Sequence, residues 1–202
     1  MSGVYPTLPC FSSMRFSSAT PTLVSWSHSL LRQSRSRGSQ RWLIEAEYPP
    51  NLTRAEIAPL VAFLIKQRGQ YDTFTLTPPA LWATARGVAT GTPLVHAATP
   101  PSGRTVATKG WTPSQTGILL AGDFIKFAGH TKVYMVTADA DSDGSGYATL
   151  SIEPALLSIP ANDEAVVVSS VPFTVALVSD TFEFSVRGPD IHELKVQFAE
   201  VF

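Results

Sequence analysis

The chain has 202 residues, enough to bury a core in one large or two small domains. Its 15 Lys and Arg against 16 Asp and Glu leave a formal net charge of -1, which excludes a general attraction to nucleic acid or to an acidic membrane surface. A single cysteine, Cys10, excludes an internal disulfide and a multi-cysteine zinc site, and reads as a buried or inert thiol. Only 15% of residues are charged while 44% are hydrophobic, so more apolar surface is expected than a monomer carries, and oligomerisation would cover it. Met1 to Ser13 has neither the basic nor the apolar part of an export signal, and nowhere do about 18 apolar residues run together. The expectation is a soluble product made in the cytoplasm.

Residues 1 to 31 carry scattered apolar residues separated by Ser, Thr and Pro, which suits an irregular arm followed by one or two short strands. Between Arg32 and Arg41 the sequence RQSRSRGSQR places Arg32, Arg35, Arg37 and Arg41 among Ser, Gln and Gly without an apolar anchor. That describes an exposed mobile loop between strands. No aromatic residue is interleaved for base stacking, so the four arginines read as interface candidates ordered by a partner subunit, ahead of a phosphate-contacting patch.

From Arg41 to Pro79 the pattern is strand, helix, strand. Trp42, Ile44 and Tyr48 fall on one face of a strand with Glu45 and Glu47 between them, and Leu43 is the outward exception. Thr53 followed by Glu56 is a capping box, with Leu52 and Ile57 placed as a hydrophobic staple. Ile57, Leu60, Val61 and Leu64 then form one apolar stripe, ended by Gly69 after Lys66 and Arg68. Pro59 lies inside the helix and removes one of its hydrogen bonds. Asp72 to Thr77 returns to a strand with Phe74 and Leu76 inward.

After Pro78 and Pro79 the composition shifts to Ala, Gly, Thr and Pro. Leu94-Val95, Thr105 to Thr108, the hairpin LLAGDFIKF-AGH-TKVYMVT, Ala148 to Ile152 and Ala165 to Val168 are short strands without an intervening helix. They predict a small inserted barrel or sandwich over residues 87–170. The rest, 1–86 with 171–202, forms a discontinuous first domain. Its last stretch reads as a meander in which Phe173, Val175 and Leu177, then Phe182, Phe184 and Val186, then Leu194, Val196 and Phe198 share faces. The helix is expected to cover that meander, with Leu60 and Leu64 against residues such as Phe184 and Val196. The fold class is mainly β, α+β in type, with one packed helix.

Motifs for chemistry are sparse. Asp139, Asp141 and Asp143 before Gly144 match the first half of a calcium loop, but Leu150 stands where the closing Glu is needed, and an Asp/Gly hairpin turn is the stronger reading. Asp123 and Glu153 are a conceivable carboxylate pair, although Asp123 after Gly122 reads as turn chemistry. His28, His96, His130 and His192 are scattered singly, and no nucleophile elbow or phosphate loop occurs. No catalytic residue, cofactor or metal is therefore assigned.

The segments QRW, YPPNLT, RGQYDTF, AGDFIKFAGHTKVYMVT, SDGSGYATLSIEP and the terminal VPFTVAL and FEFSV together resemble minor tail proteins of long, non-contractile-tailed (siphovirus-like) bacteriophages, and within that group the distal tail proteins. The resemblance spans about Phe16 to Phe202. It implies a tail-tube-like β-sandwich with one helix and an outward inserted domain, assembled as a homo-oligomeric, hexameric ring at the tail tip. Implied partners are the tail tube protein and the receptor-binding hub or central fibre, with the tape measure protein a further candidate. A virion location without membrane or specific nucleic-acid binding follows. A second reading from another class is a β-rich binding module in which Trp111, Tyr134 and His130 of the insert hold a host-surface saccharide or protein.

Overall fold

A computed structural model describes residues 3–37, 40–96, 103–187 and 190–202. In chain order its elements are β1 (Ser13–Ala19), β2 (Thr22–Trp26), β3 (Arg32–Ser36), β4 (Arg41–Glu47), α1 (Arg54–Lys66), β5 (Phe74–Leu76) and α2 (Ala80–Ala83). There follow β6 (Gly91–Val95), β7 (Thr105–Trp111), β8 (Phe124–Phe127), β9 (Val133–Val136), β10 (Ala148–Glu153) and β11 (Val166–Val167). The chain ends with β12 (Phe173–Leu177), β13 (Phe184–Arg187) and β14 (Ile191–Glu200). It divides into two compact units, Met1–Thr75 with Thr174–Val201, and Leu76–Phe173 with Phe202. The fold is mostly β, with one helix longer than a turn among the described residues.

The first unit is built on β14. This ten-residue strand pairs with β4 from Lys195 opposite Glu47 to Ala199 opposite Leu43, and with β12 from Leu177 opposite Phe198 to Val175 opposite Glu200. The sheet order is β1-β4-β14-β12-β5. Inward residues alternate as the period of a half-buried strand requires: Trp42, Ile44 and Ala46 on β4, and Leu194, Val196 and Phe198 on β14, are buried. The helix α1 covers them with Ile57, Leu60 and Leu64. Edge-to-face rings join helix and sheet, Phe63 to Phe74 at 5.2 Å and Phe74 to Phe198 at 5.7 Å between centroids. The Tyr48 hydroxyl donates to that of Tyr5 at 2.8 Å inside the same core.

The helix begins where the capping box predicts. The Glu56 carboxylate accepts from the Thr53 N–H at 2.8 Å and from the Thr53 hydroxyl at 2.8 Å. These bonds, the backbone one foremost, hold the Glu56 carboxyl below its usual range. A second anchor is tertiary, because the Arg54 N–H donates to the Asp190 carboxylate at 2.8 Å. The helix runs through Pro59 and ends at Lys66 with Gln67 as its C-cap. Gly69 has φ +65, and a Cβ there would meet Asp180 Oδ1 at 2.8 Å, so glycine is required on both counts.

Three expectations are corrected. The stretch Arg32–Arg41 is not a loop: Arg32–Ser36 is β3, paired along its length with β2, and Arg41 opens β4. Arg, Ser and Gln have no strong strand preference of their own, and pairing with Thr22–Trp26 decides the conformation. The C-terminal strands are not a simple meander, because β12 and β13 both pair with β14 and not with each other. Phe184 and Val186 are consequently exposed, at 46% and 61%, and do not lie under α1, whereas Val196 does belong to the core. Cys10 is exposed, not buried.

The second unit is a small barrel. Its sheet runs β11-β8-β9-β10-β7-β6, and the end strands meet again through a bridge between Leu94 and Ala165 and through the Val95 N–H donating to the Glu164 carbonyl at 2.8 Å. Closure removes most free strand edges. Inside lie Val106, Trp111, Ile125, Phe127, Tyr134, Val136, Leu150 and Ile152 among others. Asp123, itself buried, fastens the entry to the barrel: its carboxylate accepts from the N–H groups of Leu120 at 2.9 Å, Arg86 at 3.0 Å and Gly87 at 3.4 Å, and pairs with Arg86 Nε at 3.3 Å. That is structural turn chemistry, as its place after Gly122 suggests. Glu153 is instead exposed and pairs with Arg104.

Candidate interaction surfaces

Of the arginine candidates, Arg32 and Arg35 stand on a two-stranded ribbon, Arg37 follows it and Arg41 begins the sheet. The pairing of β1 with β4 ends at Ala19 opposite Arg41, and that of β2 with β3 begins at Thr22 opposite Ser36. Between the two ladders the Arg37 N–H donates to the Pro21 carbonyl at 3.0 Å, so the second hairpin continues on from the first. Beyond that bond, among the described residues, β2 and β3 pair only with each other. Five residues per strand at about 3.4 Å rise extend the ribbon about 17 Å past the sheet. Every residue of both strands is exposed.

The ribbon carries an apolar load. Leu23, Val24, Trp26, Leu30 and Leu31 are all exposed, Leu30 to 80%. Trp26 stands directly opposite Arg32, and Leu23 opposite Arg35. At the tip the Ser27 N–H donates to the Leu31 carbonyl at 3.0 Å, and Leu30 takes φ +61, an uncommon conformation for a side chain of that kind. A signal was present: apolar residues occur on both sides of the period-two alternation, which marks a strand with no committed inner face.

The aspartate loop does not gather its carboxylates. Asp139 Oδ1 accepts from the Ala121 N–H at 2.8 Å, Asp141 Oδ1 from the Gly117 N–H at 2.7 Å, and Asp143 Oδ1 from the N–H groups of Ser145 at 2.8 Å and Tyr147 at 2.9 Å. Backbone donors, Tyr147 foremost, hold the Asp143 carboxyl below its usual range. The glycine in the left-handed region is Gly146, at φ +77, not Gly144. No group of three metal-ligating side chains occurs among the described residues. Asp141 and Asp143 border a shallow cavity of about 470 Å³ with Thr149, Tyr147 and His96, whose ring lies 4.9 Å from that of Tyr147.

The three residues assigned to a saccharide do not form a surface. Tyr134 is fully buried, and Trp111 is buried with its indole N–H donating to the Thr108 hydroxyl at 2.8 Å. Both are barrel core, where a large aromatic ring on a small barrel contributes most. His130 shares its ring nitrogens between Ser158 at 2.9 Å and Glu164 at 3.5 Å. Of the other histidines, His192 is buried with Nε2 3.4 Å from Asp190.

No described helix is long and apolar enough to cross a membrane. Among protein families, residues 84–171 match the one described as distal tail protein pb9, B domain. The matched stretch begins one residue after α2 and ends two residues before β12, so it contains the whole barrel sheet. No curated protein matches the chain.

Proposed function

We propose that this chain is a distal tail protein of a bacteriophage, a structural component of the virion tail, and that it forms a homo-oligomeric ring at the tail tip that joins the tail tube to the receptor-binding hub. The observation that carries the reading is the match over residues 84–171 to a domain of a distal tail protein. Two features of the first unit support it. An exposed, apolar and basic ribbon is a poor surface for a monomer and a usable one for an assembly. The side chains of this unit that carry perturbed protonation, Tyr5, Tyr48, Glu47, Glu56 and Lys195, are accounted for by burial, a helix cap and an ion pair in the framework.

In this role the ring is a rigid coupling, and a hexamer is the stoichiometry expected. The tube and the hub would meet opposite faces of it. Native mass measurement of the purified chain, followed by sedimentation with tails or with tail tube protein, tests the proposal. A discrete closed oligomer that binds tube protein is the expected result. A chain that stays monomeric at high micromolar concentration and sediments alone would refute it.

A further inference from the structure

The arm just described has a complement elsewhere in the same unit. Residues 22–37 contain Arg32, Arg35 and Arg37 and no Asp or Glu, a formal charge of +3. None of these three arginines is in an ion pair among the described residues. Residues 180–193 contain Asp180, Glu183, Asp190 and Glu193 against Arg187, a formal charge of -3. The acidic stretch also has its own uncovered apolar residues, Phe184, Val186 and Ile191, on and beside β13. Among the described residues β13 pairs with β14 alone, so its other edge is open, as are the outer edges of β2 and β3.

Three physical requirements therefore point the same way. A two-stranded ribbon without further cover is marginal in water, so the arm needs a partner to be ordered. Open strand edges recruit strands. Apolar side chains flanked by opposite charges select one pairing and reject like with like. We infer that the β2–β3 arm of one copy of this chain docks on the β13 edge of a second copy, by strand addition, with Trp26, Leu23 and the arm arginines meeting Phe184, Val186 and the acidic residues of that edge. The two surfaces differ, so the contact is head-to-tail. Each copy has one of each, and repeated addition closes a ring or continues as a filament.

The inference rests on the ring reading and deepens it by naming both halves of the contact. The full chain is tested by native mass measurement and by its concentration dependence, in four forms. Arm reversal, Arg32→Glu with Arg35→Glu and Arg37→Glu, and edge reversal, Glu183→Arg with Glu193→Arg, which turns the formal charge of residues 180–193 from -3 to +1, are each expected to weaken association at least tenfold while the melting temperature of the monomer stays within a few degrees. Mixing the two reversed proteins brings a negative arm onto a positive edge and a positive arm onto a negative edge, and restores alternating oligomers. Combining Arg35→Glu with Glu183→Arg in one chain restores self-association. A cysteine pair, Ser34→Cys with Ser185→Cys in a Cys10→Ser background, should give a ladder of linked copies under oxidation that neither single cysteine gives. Wild-type rings that survive both reversals and give no ladder would overturn this contact and leave the ring reading standing. A wild-type chain that never associates would overturn both.

Discussion

The polar residues that hold the first unit together differ in how they are reached by the chain. Thr53 and Glu56 are three apart, so their cap is a local pattern. Tyr5 and Tyr48 are 43 apart and meet only because the fold stacks them on Phe74 and Phe11, which no short-range spacing announces. Burial, eased in part by the Tyr48 bond, pushes the Tyr5 hydroxyl from its ordinary 10.0 up to about 12. Tyr48 is pushed up as well, first by burial and then by Tyr5. The unfolded chain would ionise these phenols near 10, before the folded chain does, so it holds fewer protons between pH 10 and 12. Stability on this account is intact below pH 10 and falls as pH rises through that window, by up to about 1.4 kcal/mol per pH unit for each phenol. Urea unfolding at pH 9 and pH 11.5 should show the fall. The double variant Tyr5→Phe, Tyr48→Phe removes both partners at nearly equal volume and should flatten it. An unchanged slope would show that other groups set the alkaline limit.

At the level of elements, the sequence announces those whose burial follows their own periodicity. β4 and α1 have a single inner face and a clean repeat, and both occur where the repeat puts them. β3 was hidden because ten exposed ribbon residues carry no burial signal, and a strand formed by pairing alone leaves none. β13 failed differently: its alternation of Phe182, Phe184 and Val186 is a true strand pattern, but alternation says nothing about which neighbour the strand takes or whether its apolar face is covered. The helix and β13 give opposite expectations when truncated. Leu64 is fully buried, and Leu64→Ala should lower stability by about 2 to 5 kcal/mol, the range for a deleted core leucine. Phe184→Ala removes a larger side chain from an exposed site and should change the stability of the monomer by about 0.5 kcal/mol or less. Urea midpoints of the two variants decide it. A costly Phe184→Ala in the monomer would place that ring under cover.

For the whole molecule, the question is whether the barrel can leave. The chain enters and departs it at one place: the Val171 N–H donates to the Ala83 carbonyl at 2.8 Å, and the Ala85 N–H to the Val168 carbonyl at 2.9 Å. Ends already paired in this way can be closed by a two-residue turn, at small entropic cost because the loop is short. The barrel has its own core, from Val95 and Val106 to Val166, and its own fastening at Asp123. Replacing Thr84–Ser170 by Gly-Gly is therefore expected to leave a first unit that folds, and residues 84–171 expressed alone should fold as well. The trimmed chain loses the contact of Phe173 with Phe124, rings 5.3 Å apart, so its melting temperature should drop. Its helix and sheet signals by circular dichroism should persist and melt in one cooperative step. It should also still associate, since both proposed contact surfaces, the β2–β3 arm and the β13 edge, lie outside the excised stretch. A trimmed chain that folds but remains monomeric, where the full chain forms rings, would move assembly onto the barrel. If neither piece melts cooperatively, the two units share one core and the barrel is not an insertion in the thermodynamic sense.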